Sequence, residues 1–319
     1  MKRRQFIALL GGAAVGLPFA ARAQQAGMVT IGILSFQNPE PFRTMLRDKL
    51  RELGYAEGRN LKIEFRSAEG SRDRISGLAA ELVGLHVDVL VAYPTPAAVA
   101  LQQATREIPI VMLGAGDPVG TGLVASLARP GGNVTGTSST TAELGAKTLE
   151  LVRDFIPSVQ RVAVLANAAD SFTKSFLQQM QTGAPSLGLE IQTVMITDPE
   201  ELDSAFAAMK QGALDAVIVQ PSLPRQRVAD LALKNHILAI APSSEFAVLG
   251  GLAAYGPSQT EMIGRTASII DKVLKRSKPA ELPVEQPTKF ELTINLKTAR
   301  ALGITVSPAL LSRADEVIE

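Results

Sequence analysis

Apolar residues along the chain fall into two alternating rhythms. One is the short continuous run rich in β-branched residues, the mark of a strand buried on both faces. The other is the three-to-four-residue spacing of an amphipathic helix. VTIGILSF (29–36) predicts a strand, and PFRTMLRDKLRELGY (41–55) a helix with Phe42, Met45, Leu46, Leu50 and Leu53 on one face. Gly54 supplies its stop signal. Strand 60–68, helix 72–85, strand 87–93, helix 95–107 and strand 108–113 follow. Helices between strands are the crossovers that parallel pairing requires, so this half of the chain is a doubly wound α/β lobe.

Near residue 161 the rhythm restarts. RVAVLANAAD (161–170) answers VTIGILSFQN, LEIQTVMIT (189–197) answers NLKIEFRSA, and ILAIAPSSEF (237–246) answers IPIVMLGAGD. LDAVIVQPSLP (214–224) repeats the phrase VDVLVAYPTP (87–96): an acidic residue, an apolar run, then a proline-bounded turn. Four strands matching four strands in order indicate two similar lobes. ARPGGNVTGTSST (128–140), rich in Gly, Ser and Thr, reads as a crossover between them, YGPS (255–258) as a return, and ELPVEQPTKFELTINL (281–296) as a third crossing. The expected units are lobe 1 over 24–137 plus 256–281 and lobe 2 over 138–255 plus 282–319. Three crossings make a hinge.

The first 25 residues break the rhythm. Lys2, Arg3 and Arg4 precede an apolar stretch from Phe6 to Leu17, and Ala21-Arg22-Ala23 fits a small-residue cleavage site. Residues 1–23 therefore predict a signal peptide and an exported, soluble, periplasmic mature chain. Arg3-Arg4 followed by Gln5-Phe6-Ile7 resembles a twin-arginine signal. The rest of the chain offers no membrane-span candidate.

Composition mainly excludes. The 319 residues carry a net charge of +1, with 46% hydrophobic and 20% charged residues, which fits a large core and gives no basic excess for a nucleic-acid partner. Cysteine is absent, which removes thiol nucleophiles and thiolate metal sites. The two histidines, His86 and His236, sit at helix-to-strand junctions and predict no ligand pair. GAGDPVG (114–120) misses the dinucleotide pattern because its third glycine comes one residue late and Pro118 interrupts the helix start. GxxxxGK[ST], GxSxG and HExxH do not occur. No cofactor, metal or catalytic residue is called for.

In open α/β sheets ligands bind beyond the carboxyl ends of the strands. Those ends place Ser35, Phe36, Tyr93, Thr95, Asp117, Asn167, Ser222, Glu245 and Phe246 as candidates, with Ser138, Ser139 and Tyr255 on the crossings. Thr95 before Pro96 reads as a helix N-cap whose free N–H groups suit a carboxylate. Ser138 and Ser139 are expected to act similarly. Asp117 is placed for an ammonium group. Tyr93, Tyr255, Phe36 and Phe246 are expected as walls for an apolar body. The predicted ligand is a small carboxylate, an amino acid or an aromatic acid. Each of these residues also has a plain role open to it, as turn former, cap or core.

The segments PFRTMLRDKLRELGYAEGRN (41–60), GDPVGTGLVASLARPGGNVTG (116–136), YGPS, LPVEQPTKFELTINLKTARALG (282–303) and SPALLSRADEVIE (307–319) resemble the ABC-transporter substrate-binding protein family related to the tryptophan-binding component of aromatic amino-acid importers. The resemblance covers essentially the whole mature chain. It implies a periplasmic-binding-protein type I fold with a three-crossover hinge. It also implies a receptor, not an enzyme, that delivers a small-molecule ligand to a membrane permease and its ATPase. The family usually has a Gly-Thr-Pro type turn where this chain has Tyr93-Pro94-Thr95-Pro96, which marks that part of the cleft as individual. An exported α/β enzyme and a ligand-sensing subunit of a membrane receptor remain the alternatives.

Overall fold

A computed structural model describes residues 27–37, 40–139 and 144–319. The signal peptide expected over residues 1–23 lies outside the described residues. The first lobe is built from β1 (Val29–Ser35), α1 (Glu40–Glu52), β2 (Leu61–Ser67), α2 (Arg72–Gly84), β3 (Val89–Tyr93), α3 (Thr95–Ala104), β4 (Ile110–Gly116) and β5 (Val134–Ser139). Its strands form a parallel sheet in the order β2-β1-β3-β4-β5. The chain then enters the second lobe through α4 (Leu144–Phe155), β6 (Arg161–Asn167), α5 (Thr173–Gly183), β7 (Glu190–Ile196), α6 (Leu202–Gln211), β8 (Ala216–Val219), α7 (Arg225–Lys234), β9 (Leu238–Ala241), α8 (Ser244–Val248) and β10 (Ala253–Pro257). It returns to the first lobe as α9 (Gln259–Leu274), which packs on α1 and β4. It crosses a third time into β11 (Phe290–Asn295), α10 (Leu296–Ala301), α11 (Pro308–Leu311) and β12 (Glu316–Ile318).

The repeat read from the sequence is physical. The second sheet runs β12-β11-β10-β9-β8-β6-β7, so its β7-β6-β8-β9-β10 portion copies the order of the first sheet. β11 is added antiparallel to β10. The inner strands of both sheets are buried on both faces, which is why β1, β3, β4, β6, β8 and β9 read as mainly apolar runs, while the edge strands β2 and β7 are only partly buried. In the first lobe Ile31 and Ile33 face α1 and α9, while Leu34 and Leu90 face α2 and α3. On α1, Phe42, Leu46 and Leu50 recur every four residues and are buried. Full burial of a leucine contributes about 1.5–3 kcal/mol. Gly54 stops this helix with φ of 94°, a left-handed conformation that glycine enters without a Cβ clash.

One sequence expectation is corrected. The Gly-, Ser- and Thr-rich segment read as a crossover contains β5, a strand of the first sheet. Its polarity is deceptive because the buried Thr135 and Thr137 hydroxyls are paired. Thr135 donates to the Leu282 carbonyl at 2.8 Å, and Thr137 accepts from the Gly114 N–H at 3.0 Å. The outer edge of β5 is covered by the returning chain: Ser138 N–H donates to the Glu285 carbonyl, and Glu285 N–H to the Gly136 carbonyl. Leu282 and Val284 accordingly pack into first-lobe cores.

Candidate functional site

The carboxyl ends of both sheets meet across one cleft. β3 ends at Tyr93 and β4 at Gly114–Gly116 on one side. β8 leads into Pro221 and β9 into Pro242 on the other. A cavity between them is walled by Phe42, Tyr93, Pro94, Leu113, Met262 and Ile263 of the first lobe and by Pro221 and Pro242 of the second, with Pro257 at the crossing. The repeated phrase of the sequence thus places Pro94 and Pro221 on the two lobes that face this cavity. The polar side chains at the cavity, among the described residues, are Ser139, Gln259, Ser243 and Arg225, with the Tyr93 hydroxyl. It holds roughly 620 Å³ of atom-free space including its mouth, of which about 50 Å³ is open to the centres of water molecules, so the cavity is narrow.

The walls are set by rigid elements. Tyr93 stacks on Phe42 with ring centroids 5.1 Å apart and planes 25° from parallel. Phe42 sits in the first turn of α1, which β1 delivers to the cleft. Arg225 opens α7, where a cation opposes the positive end of the helix dipole. It is held there by partners: Nη1 donates to Glu245 at 2.7 Å, and Nη2 donates to the Tyr93 hydroxyl at 2.8 Å. Burial opposes the Arg225 charge, but Tyr93 and Glu245 outweigh it and hold the guanidinium above its ordinary pKa. Gln259 at the start of α9 donates to the Ser243 hydroxyl at 2.6 Å. Gln37 reaches from the first lobe to the Ser222 carbonyl, and Ser175 of the second lobe donates to the Asp117 carboxylate. Among the described residues these four direct hydrogen bonds join the lobes, the Arg225–Tyr93 and Gln259–Ser243 bonds at the cavity itself.

Of the twelve residues expected from the sequence, Tyr93 and Ser139 line this cavity, and Glu245 holds the Arg225 that does. The others lie elsewhere. Thr95 is not an N-cap: Pro94 takes that position, and the Thr95 hydroxyl accepts from the Gly116 N–H at 2.9 Å. Ser138 is buried in β5 and not at a helix start. Asp117 turns away from the cavity, accepting from the Gly120 N–H at 2.9 Å as well as from Ser175. Phe246 is wholly buried in a second-lobe core, and Tyr255 packs at the edge of the other core against Phe290, with centroids 6.4 Å apart. Phe36 and Asn167 line a separate open groove between the lobes. Ser35 donates to the Gln37 carbonyl and is fully buried. The Ser222 hydroxyl is buried without a hydrogen-bond partner among the described residues. Sequence reading missed Phe42, Arg225 and Gln259. The signal for Arg225 was its position, a cation where the helix dipole disfavours one.

Comparison with known proteins places this geometry. The sequence model described as ABC transporter substrate binding protein matches residues 31–318. The chain belongs to the ABC transporter substrate-binding protein family. Like other members, this substrate-binding protein is related to proteins that bind solutes. It is 30% identical over 261 residues to the tyrosine-binding protein of Clostridioides difficile (strain R20291), covering 80% of this chain and 74% of that one. A crystal structure from Streptococcus pneumonia in complex with L-Trp aligns with a TM-score of 0.83 at 29% identity, over 92% of this chain and 100% of that one. The ligand-free, open structure of a substrate binding protein with adhesive properties from Clostridium difficile aligns over 91% and 99% at 25% identity, with a TM-score of 0.63. Among the described residues no helix is long and apolar enough to cross a membrane, and no group of three or more His, Asp or Glu is positioned to hold a metal ion.

Proposed function

We propose that this substrate-binding protein is the exported receptor of an ABC importer and that it captures a small carboxylate with an apolar, aromatic-compatible body. The cleft closes around the ligand, and the closed form delivers it to the permease and its ATPase. The observation that carries this reading is the cavity itself: apolar walls from both lobes, a Tyr93–Phe42 stack on one side and a buried arginine on the other. Small-molecule sites have this makeup, mostly apolar with a few placed polar groups. The relatives that bind tyrosine and L-Trp support the ligand class. The higher TM-score with the L-Trp complex than with the ligand-free open structure, at similar coverage, supports closure on ligand.

The moving bodies are proposed to be residues 27–139 with 259–285 and residues 144–257 with 290–319. Ligand binds where both contribute, so it favours the closed state by its differential affinity. Calorimetric titration with amino acids, aromatic acids, sugars and nucleosides, with small-angle scattering at saturation, tests the proposal. A carboxylate is expected to bind and contract the particle; tight binding confined to a sugar or nucleoside overturns the reading. Export by the twin-arginine route is proposed from Arg3 and Arg4. Replacing both by lysine is expected to leave precursor in the cytoplasm, and unimpeded export reassigns the route.

A further inference from the structure

The apolar walls of the cavity differ in how far they can yield. Phe42 and Tyr93 brace each other, with ring centroids 5.1 Å apart. Pro94, Pro221 and Pro242 have side chains closed onto the backbone. Ile263 is branched at Cβ, which leaves it one strongly preferred χ1 in a helix. Met262 is the opposite case: an unbranched, rotatable thioether, the kind of side chain that fills irregular space.

The backbone around Met262 is fixed. One threonine, Thr137 of β5, accepts from the Gly114 N–H at 3.0 Å and lies 3.2 Å from the hydroxyl of Thr266, which is one turn along α9 from Met262. Thr137 thereby sets the spacing between the end of β4 and α9. The Met262 N–H donates to the Ser258 carbonyl at 3.0 Å, anchoring the helix start. Across this spacing the thioether reaches the place where a side chain on Gly114 would begin. A Cβ on Gly114 would stand 2.9 Å from Met262 Cε and 4.0 Å from Sδ. The methyl group therefore rests in the hollow that glycine leaves. Behind it Val111, Leu113 and Ile263 fill the first-lobe core, and a close-packed interior has little room to give. Gly114 and Met262 both border the cavity, so the cavity is the space into which the tip can swing.

We propose that Met262 is a specificity-determining residue. Its thioether sets how large an apolar body the cavity takes: seated over Gly114 it leaves room for a two-ring body, and swung outward it packs against a one-ring body. This rests on the apolar carboxylate reading proposed above and deepens it.

The test is calorimetry on the purified protein with two pairs that differ by one ring: L-phenylalanine with L-tryptophan, and 3-phenylpropanoate with indole-3-propanoate. The readout is the ratio of the two dissociation constants within a pair that binds. Met262→Ala removes the filler and is expected to shift this ratio by about tenfold in favour of the two-ring member, the low end of what a methylene-sized misfit is worth in an apolar pocket. Gly114→Ala, whose Cβ displaces the thioether tip into the cavity, is expected to shift it by about tenfold the other way. Alanine at Gly114, where φ is 59°, also strains the backbone, so Gly114→Ala is repeated together with Met262→Ala. With no tip left to displace, the double variant is expected to match Met262→Ala. A ratio that stays within about twofold of the wild type in Met262→Ala overturns the inference, and so does a Gly114→Ala shift that persists in the double variant. If Gly114→Ala does not fold, Met262→Ala decides alone. A wild type that binds none of the four ligands also overturns the inference, and the wider titration proposed above then decides the proposed function separately.

Discussion

Arg225 Nη2 and Tyr93 Oη are 2.8 Å apart, and the bond between them joins the two lobes across the wall of the cavity. The guanidinium carbon also lies 5.9 Å from the Tyr93 ring centroid. One residue pair therefore both lines the cavity and joins the lobes. The phenol stacks on Phe42, so packing within the first lobe holds the Tyr93 ring independently of Arg225.

Tyr93→Phe keeps the ring stack and removes that bond. A hydrogen bond to a charged group is worth about 1.5–3 kcal/mol. Ligand affinity is expected to fall at least tenfold, with little change in melting temperature of the ligand-free protein. Titration calorimetry beside thermal melts checks this; unchanged affinity removes the bond from the account of closure.

Arg225 and Glu245 form an ion pair whose side chains are 7% and 19% exposed. Breaking a buried pair leaves one charge uncompensated and costs about 3–5 kcal/mol. Arg225→Met is expected to destabilise the second lobe on that scale, and Arg225→Met with Glu245→Leu to recover most of the loss. Urea denaturation of the single and double variants reads the coupling directly.

Gly116 lies against the ring of Phe172 from the other lobe: a Cβ there meets ring carbons at 2.6 Å. Its φ is not in the left-handed region, so alanine suits the backbone and the conflict is between lobes alone. Gly116→Ala is expected to leave folding stability within about 1 kcal/mol while blocking full closure. Scattering at saturating ligand reads it as a particle that no longer contracts to the wild-type size.

Glu261 ties α9 to the third crossing. Burial pushes its pKa up, but hydrogen bonds from Thr288, Arg265 and the Lys289 N–H prevail and hold it down at about 2, against an ordinary value of 4.5. The folded value is the lower one, so Glu261 contributes stability above pH 4.5 that is lost as the pH falls towards 2. Glu261→Gln is expected to melt below the wild type at pH 7, with the gap narrowing between pH 4.5 and 2. A gap that is constant with pH contradicts the ionic role.

The two-lobe architecture was legible because its cause is local. A strand buried on both faces must be apolar throughout, and a helix covering a sheet must repeat its apolar positions every three to four residues. Those rules place β1, β3 and β4 and their counterparts β6, β8 and β9 from the sequence alone, as the repeated acidic-residue-and-proline phrase does for Pro94 and Pro221; the partly buried edge strands β2 and β7 follow from their β-branched residues and their place between helices. Local rules mislead where polarity is satisfied by distant partners. β5 reads as a crossover until Leu282 and Thr266, nearly 150 and 130 residues away, supply hydrogen-bond partners for Thr135 and Thr137. The site divides the same way. Strand ends name the neighbourhood of the cavity, and Tyr93 follows from that, while Ser139 follows from the expected crossing. Which side chain turns inward is decided by the packing of one lobe against the other. Phe246 and Asp117 both occupy strand-end turns, yet one fills a core and the other bonds Ser175 of the opposite lobe. Arg225, in a helix start that disfavours it, becomes the charged group of the cavity because Glu245 and Tyr93, from two separate elements, converge on it.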